Sequence, residues 1–185
     1  MLVAREKKKS NIAEYVLYMW QVEDMLRALN LDMGMVDKYV VSQFSADEAT
    51  RHEIHDWYDN IIAIMKQERV EKQGHIQALK NTVDELTELH FFLLHTAHDF
   101  RYQQLVTMAA GNLVEFRQRS GAGNEISDVE LALNGLYGNL LLRLQKKEVH
   151  PETAAAMESF SKMMAYLAAR YKQREEEENA ALDNM

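Results

Sequence analysis

The chain has 185 residues, of which 47% are hydrophobic and 27% charged, with one proline, seven glycines and no cysteine. Its net charge of −8 at pH 7 argues against a nucleic-acid binder, because contacts to phosphate require a basic surface. The lack of cysteine excludes disulfides, thiolate metal sites and cysteine nucleophiles.

The scarcity of proline and glycine predicts an all-α fold. Both residue types interrupt helices, so a chain that nearly lacks them has few positions at which a helix must end. No strand pattern and no repeat of fixed period competes with this interpretation. We predict a single helical bundle of six or seven helices over residues 1–174, followed by an acidic tail, residues 175–185, that frays.

The first half of the chain is predicted to form three helices. The basic run at residues 5–9 is interpreted as a solvated terminus that precedes them. Apolar residues at helical spacing predict helix one over residues 11–29 and a shorter helix over residues 36–44. Ser45 and Glu48 have the spacing of a capping box, which predicts that the third helix begins at Ser45.

The second half is predicted to form four more helices. The fourth follows a break at Gly74, and the fifth begins at Asp99 with an interruption at Gly111. The sixth covers residues 125–147, with Asn124 as its N-cap. Pro151 fits the first position of the last helix, where its missing backbone donor does no harm.

The sixth predicted helix is apolar on two faces. One face contains Tyr137, and the other contains Gly135 and Gly138. Each glycine costs about 1 kcal/mol relative to alanine inside a helix, so a compensating contact is expected. We expect these glycines to let a neighbouring helix approach closely; the alternative is a face that opens to a ligand or a second subunit. Gly135, Gly138 and Tyr137 are therefore the leading ligand or interface candidates.

Histidines supply the other candidate residues. His90 lies within an apolar stripe, between Leu86 and Leu94, and is expected to be buried and hydrogen-bonded, although it is also kept as a ligand candidate. His52, His55 and Asp59 share one helix face and are weak metal candidates, with a solvated polar face as the favoured interpretation.

No catalytic motif is recognised in the sequence. No histidine follows a glutamate by three residues, as di-iron bundles require, and no nucleophile elbow, phosphate loop or dinucleotide fingerprint occurs. We therefore predict no catalytic residue and no cofactor.

Four segments together resemble a known family. They are residues 11–28 (NIAEYVLYMWQVEDMLRA), 74–79 (GHIQAL), 88–94 (ELHFFLL) and 134–147 (NGLYGNLLLRLQKK). They are similar to an uncharacterised all-α family of Bacteroidetes, domain of unknown function 4924. The resemblance implies an all-α fold, a bacterial intracellular setting and no assigned activity, and it contributes no functional residue.

Two functions are compatible with these patterns. The favoured one is a cytoplasmic helical protein that self-associates as a homodimer or binds an unknown protein partner through an apolar face. The alternative is a small-molecule or metal-binding bundle, including an enzyme, with a site lined by Tyr137, His90 or methionines. The methionines considered were Met108, Met157, Met163 and Met164, for which core filling is the favoured use. No secretory signal or stretch of about 20 apolar residues is visible, so no membrane role is expected.

Overall fold

A computed structural model describes residues 2–183, which form eight α-helices and no strand. The helices are α1 (Leu2–Ser10), α2 (Ile12–Ala28), α3 (Met33–Tyr39), α4 (Glu48–Gln67), α5 (Gln77–His95), α6 (Phe100–Ser120), α7 (Asp128–Leu144) and α8 (Pro151–Asp183), with a 3-10 turn at Val41–Gln43. The all-α prediction is confirmed. The predicted number of helices, six or seven, was slightly too low.

The additional helix is α1. Residues 5–9 were interpreted as a solvated terminus, but they lie in this helix, which packs against α2. Ala4 is its buried apolar residue, and Lys7 pairs with Glu14 of α2 at 2.9 Å. One buried alanine among many charged residues leaves no apolar stripe in the sequence, which explains why hydrophobic periodicity did not reveal this helix.

The long helix α8 lies at the centre of the bundle. It packs against α6 and α7 and also touches α2 and α5. Phe160, Met163 and Leu167 are completely buried, and their spacing of three and four residues keeps them on one face. Met157 and Met164 are also buried. Three of the four methionines considered above, all on α8, therefore fill the core, whereas Met108 on α6 is 65% exposed.

Two helices begin later than predicted. The cap of α4 is Asp47, not Ser45. The Asp47 carboxylate accepts a hydrogen bond of 2.7 Å from the backbone amide of the third residue after it. The cap of α7 is Ser127, not Asn124. The Ser127 hydroxyl accepts a hydrogen bond of 3.1 Å from the backbone amide of the third residue after it. In each case a second favourable N-cap residue follows the predicted one by two or three positions, and the helix begins after the second.

Other predicted boundaries are confirmed. Asp99 caps α6 by accepting from the amide of Tyr102 at 3.0 Å, and Pro151 is the first residue of α8. The predicted interruption of α6 at Gly111 was wrong, because α6 is continuous there. The neighbouring Asn112 donates to the hydroxyl of Ser159 on α8 at 3.0 Å, which joins the two helices at this point.

The last turns of α8 extend past the bundle core. Tyr171 is its last buried residue, and the side chains that follow are exposed or half-buried through Leu182. Lys172 and Arg174 each pair with a glutamate one turn later, at 3.7 Å. That the tail frays stays a prediction. None of the helices within residues 2–183 has the length and apolar character needed to cross a membrane.

Candidate functional site

The burial of α7 changes halfway along the helix. Its first half is buried, including Val129, Leu133 and Gly135. From residue 136 to residue 142 every side chain is only half-buried, and Leu144 is 58% exposed. Successive helical residues point about 100° apart, so residues 136–144 are incompletely covered all around the helix. We call this segment the α7 ridge.

Two grooves lie beside the α7 ridge. One has a volume of about 610 Å³, lies against α2 and α8, and contains Leu136 and Leu140. The other has a volume of about 410 Å³, lies against α6 and α8, and contains Leu141 and Leu142. Met157 of α8 lines both grooves. The ridge is therefore a leucine-rich helix end with open space on both sides.

The two glycines of α7 have different surroundings. A Cβ atom on Gly135 would lie 3.0 Å from Cε2 of Phe160 and 3.2 Å from the methyl carbon of Met157, so close packing is found there. A Cβ atom on Gly138 would have no other described atom within 4 Å. The expectation of close packing within the chain was therefore wrong for Gly138. Gly138 lies three residues after Gly135 and lines the second groove.

Tyr137 joins the ridge to α2. Its hydroxyl donates to the carboxylate of Asp24 at 2.6 Å, and its ring meets that of Trp20 edge-on with 5.7 Å between centroids. Burial, and then the bond to Asp24, raise the pKa of the Tyr137 hydroxyl well above its usual value. The phenol therefore remains protonated and is a permanent donor to Asp24.

A polar cluster that we had not predicted adjoins Tyr137. Glu23 of α2 has no exposed surface, and one of its oxygens accepts from the backbone amide of Ile76 at 2.9 Å. Its other oxygen lies 2.5 Å from Nδ1 of His75. The His75 ring stacks on Trp20 with 4.4 Å between centroids and 15° between planes. A buried carboxyl group thus orients a half-exposed imidazole at the start of α5.

Arg27 extends this cluster to the loop between α4 and α5. Its guanidinium donates to the carbonyl of Val70 at 3.0 and 3.3 Å and also to the carbonyl of Gly74. It pairs with Asp24 at 2.8 Å. Gly74 has φ of +81°, a conformation that favours glycine. Arg27 therefore fastens the α4–α5 loop, residues 68–76, to α2 at two carbonyls, in addition to the contacts of Glu23 with His75 and Ile76.

The cluster escaped prediction because its parts are distant in sequence. Trp20, Glu23 and Arg27 lie on one face of α2, where a mixture of apolar and charged residues looks like the edge of an ordinary amphipathic helix. His75 is 52 residues from Glu23. The sequence did contain one signal for this cluster. Three of the four family-like segments meet there, namely residues 11–28, 74–79 and 134–147.

His90 is buried, as expected. It is 5% exposed, and its Nδ1 lies 2.8 Å from the hydroxyl oxygen of Tyr102, which is also buried. Burial lowers the pKa of His90, which favours the neutral imidazole at pH 7. This arrangement joins α5 to α6 through the core.

The weak metal candidates have separate partners. His55 Nδ1 lies 2.7 Å from Asp37, and this hydrogen bond raises the pKa of His55. His52 lies 3.6 Å from Asp56 instead of joining Asp59. Within residues 2–183, no three histidine, aspartate or glutamate side chains are close enough together to hold a metal ion.

Comparison with known proteins gives one match. No curated protein and no solved structure matches the chain. A family described as a domain of unknown function, DUF4924, matches residues 1–178, which confirms the family resemblance. The chain belongs to the DUF4924 family.

Proposed function

We propose that this protein acts by self-association, with the α7 ridge as the surface that a second copy covers. The observation that carries the proposal is the half-burial of every residue from 136 to 142. Apolar surface removed from water contributes about 25 cal/mol per Å² of stabilisation, so a leucine-rich helix end with partly uncovered side chains favours association. Gly138 supports this surface, because the space beside it lets another helix approach the backbone.

Charge favours a second copy as the partner. Arg143, Lys146 and Lys147 are exposed at the end of α7, and none forms an ion pair within residues 2–183. The acidic residues at positions 176–178 are exposed on the projecting end of α8, where Glu176 and Glu178 pair with Lys172 and Arg174 and Glu177 forms no ion pair within residues 2–183. The acidic end of α8 on one copy therefore complements the basic end of α7 on the other, and this local attraction acts against the repulsion between two chains of net charge −8.

Paired lysine substitutions test the proposal. Leu144 on the ridge and Val114 on α6 are both 58% exposed, so Leu144→Lys and Val114→Lys change side chains of equal exposure. Sedimentation velocity over a range of concentrations should show dimers for the wild type and Val114→Lys. Leu144→Lys should weaken the dimer about tenfold or more, a loss of about 1.4 kcal/mol or more. A wild type that stays monomeric, or two variants that behave alike, would contradict the proposal.

A further inference from the structure

We propose that the contact between α5 and the first turns of α6 is acid-sensitive: it is stable while the His90 imidazole is neutral and is weakened when that imidazole is protonated. This inference does not depend on self-association. His90 lies on α5, and its Nδ1 lies 2.8 Å from the hydroxyl oxygen of Tyr102 on α6. Both side chains are buried, with 5% of His90 and none of Tyr102 exposed. The pair is therefore shielded from water at the place where the two helices meet.

Tyr102 is the residue through which the first turn of α6 is held. Its backbone amide donates to the carboxylate of Asp99 at 3.0 Å, and its ring stacks on that of Tyr166 of α8 with 5.8 Å between centroids. Its hydroxyl group bonds to His90 and has no other hydrogen bond within residues 2–183. A change of charge at His90 therefore acts directly on the residue that joins α6 to both α5 and α8.

Protonation of His90 leaves hydrogen-bond donors without acceptors. A neutral imidazole has one N–H donor and one acceptor nitrogen, so it satisfies the Tyr102 hydroxyl whichever group donates. An imidazolium has two N–H donors and no acceptor, and His90 has no hydrogen-bond partner other than Tyr102 within residues 2–183. The second N–H and the hydroxyl proton of Tyr102 then both lack an acceptor among these residues. Buried donors without acceptors destabilise the folded state.

The titratable groups around His90 do not offset this cost. Burial has the largest effect and lowers the pKa of His90, the carboxylate of Asp128 at the start of α7 raises it, and His95 on α5 lowers it further. The groups on α6 and α8 are the hydroxyls of Tyr102 and, behind it, Tyr166. Both stay neutral, because burial raises the pKa of each above its usual value. The surroundings therefore favour the neutral imidazole.

The direction of the pH effect follows from the lowered pKa. In the unfolded chain His90 has the ordinary histidine pKa of about 6.5, so in mildly acidic solution the unfolded state binds more protons than the folded state. The stability that neutral His90 contributes is therefore present above about pH 6.5 and is lost as the pH falls below it. Burial acts to raise the pKa of Asp99, but hydrogen bonds from Tyr102 and Tyr166 lower it below its usual value, so Asp99 stays ionised in this range.

Urea unfolding at two pH values tests the proposal. His90→Asn keeps a polar side chain at this position but cannot become charged. Between about pH 7.5 and about pH 5.5, the folding equilibrium constant of the wild type should fall several-fold more than that of His90→Asn, up to about tenfold more. His98→Asn is the matched control and should follow the wild type. His98 is exposed in the loop between α5 and α6, and its φ of +48° is a conformation that asparagine tolerates.

Hydrogen exchange of the wild type locates the effect and needs no variant. After correction for the intrinsic pH dependence of exchange, amides of residues 103–109 on α6 should lose more protection at about pH 5.5 than amides of α2 do. This measurement decides the question even where His90→Asn is too unstable to compare. An equal pH effect in the wild type and His90→Asn, or a loss of protection that spares residues 103–109, would overturn the proposal.

Discussion

At the scale of single residues, Gly135 and Gly138 of α7 are predicted to respond oppositely to alanine. Alanine gains about 1 kcal/mol of helix propensity at either position. At Gly135 the new methyl group would meet the fully buried ring of Phe160 at 3.0 Å. Such overpacking costs about 1–3 kcal/mol, which outweighs the gain. At Gly138 the new methyl group would meet no described atom within 4 Å apart from its two neighbouring residues and the backbone of its own helix, so the gain remains.

Urea unfolding measures this difference. In the Leu144→Lys background, at a protein concentration at which sedimentation shows a monomer, Gly138→Ala should raise the free energy of unfolding by about 1 kcal/mol. Gly135→Ala should lower it, by up to about 2 kcal/mol. The reverse order would show that the surroundings of these two positions are misassigned.

Some residue roles followed from the sequence and others did not. The burial of His90 was predicted correctly because an apolar stripe places it in the core. The caps Asp47 and Ser127 were missed because Ser45 and Asn124, which lie two and three residues earlier, are equally favourable N-cap residues. The openness of Gly138 was missed because helical spacing does not show where a neighbouring helix ends.

At the scale of elements, the α4–α5 loop is predicted to depend on Arg27. Arg27 is 14% exposed and holds two loop carbonyls, so Arg27→Met should lower stability by about 1–3 kcal/mol. It should also speed tryptic cleavage after Arg69 and Lys72 in the loop. Limited proteolysis followed by mass spectrometry identifies the cut sites.

Arg119→Met is the control for this experiment. Arg119 is 67% exposed and pairs with Glu115 one turn earlier, so its loss should change stability by no more than about 0.5 kcal/mol. If Arg27→Met leaves cleavage in the loop at the wild-type rate, contacts other than the arginine hold the loop on α2.

Most helices were predictable, whereas the contacts between them were not. Hydrophobic periodicity reports which face of a helix is buried, and it located seven of the eight helices in residues 2–183. It does not report which helices meet. The contact between Glu23 and His75 depends on the path of the α4–α5 loop, and the packing of the whole bundle determines that path.

At the scale of the whole molecule, α7 has two roles. Its first half is core, and its second half is the ridge that we propose a second copy covers. The sequence revealed a helix that is apolar on two faces. It could not show which part stays open, because that depends on where α2, α6 and α8 stop covering α7.

Hydrogen exchange as a function of protein concentration tests the self-association of the α7 ridge most directly. At a concentration where the dimer forms, backbone amides of residues 136–144 should exchange more slowly than in dilute protein. Amides around Val114 on α6 should exchange at the same rate in both samples. Exchange at residues 136–144 that does not change with concentration, or protection confined to other helices, would contradict the account.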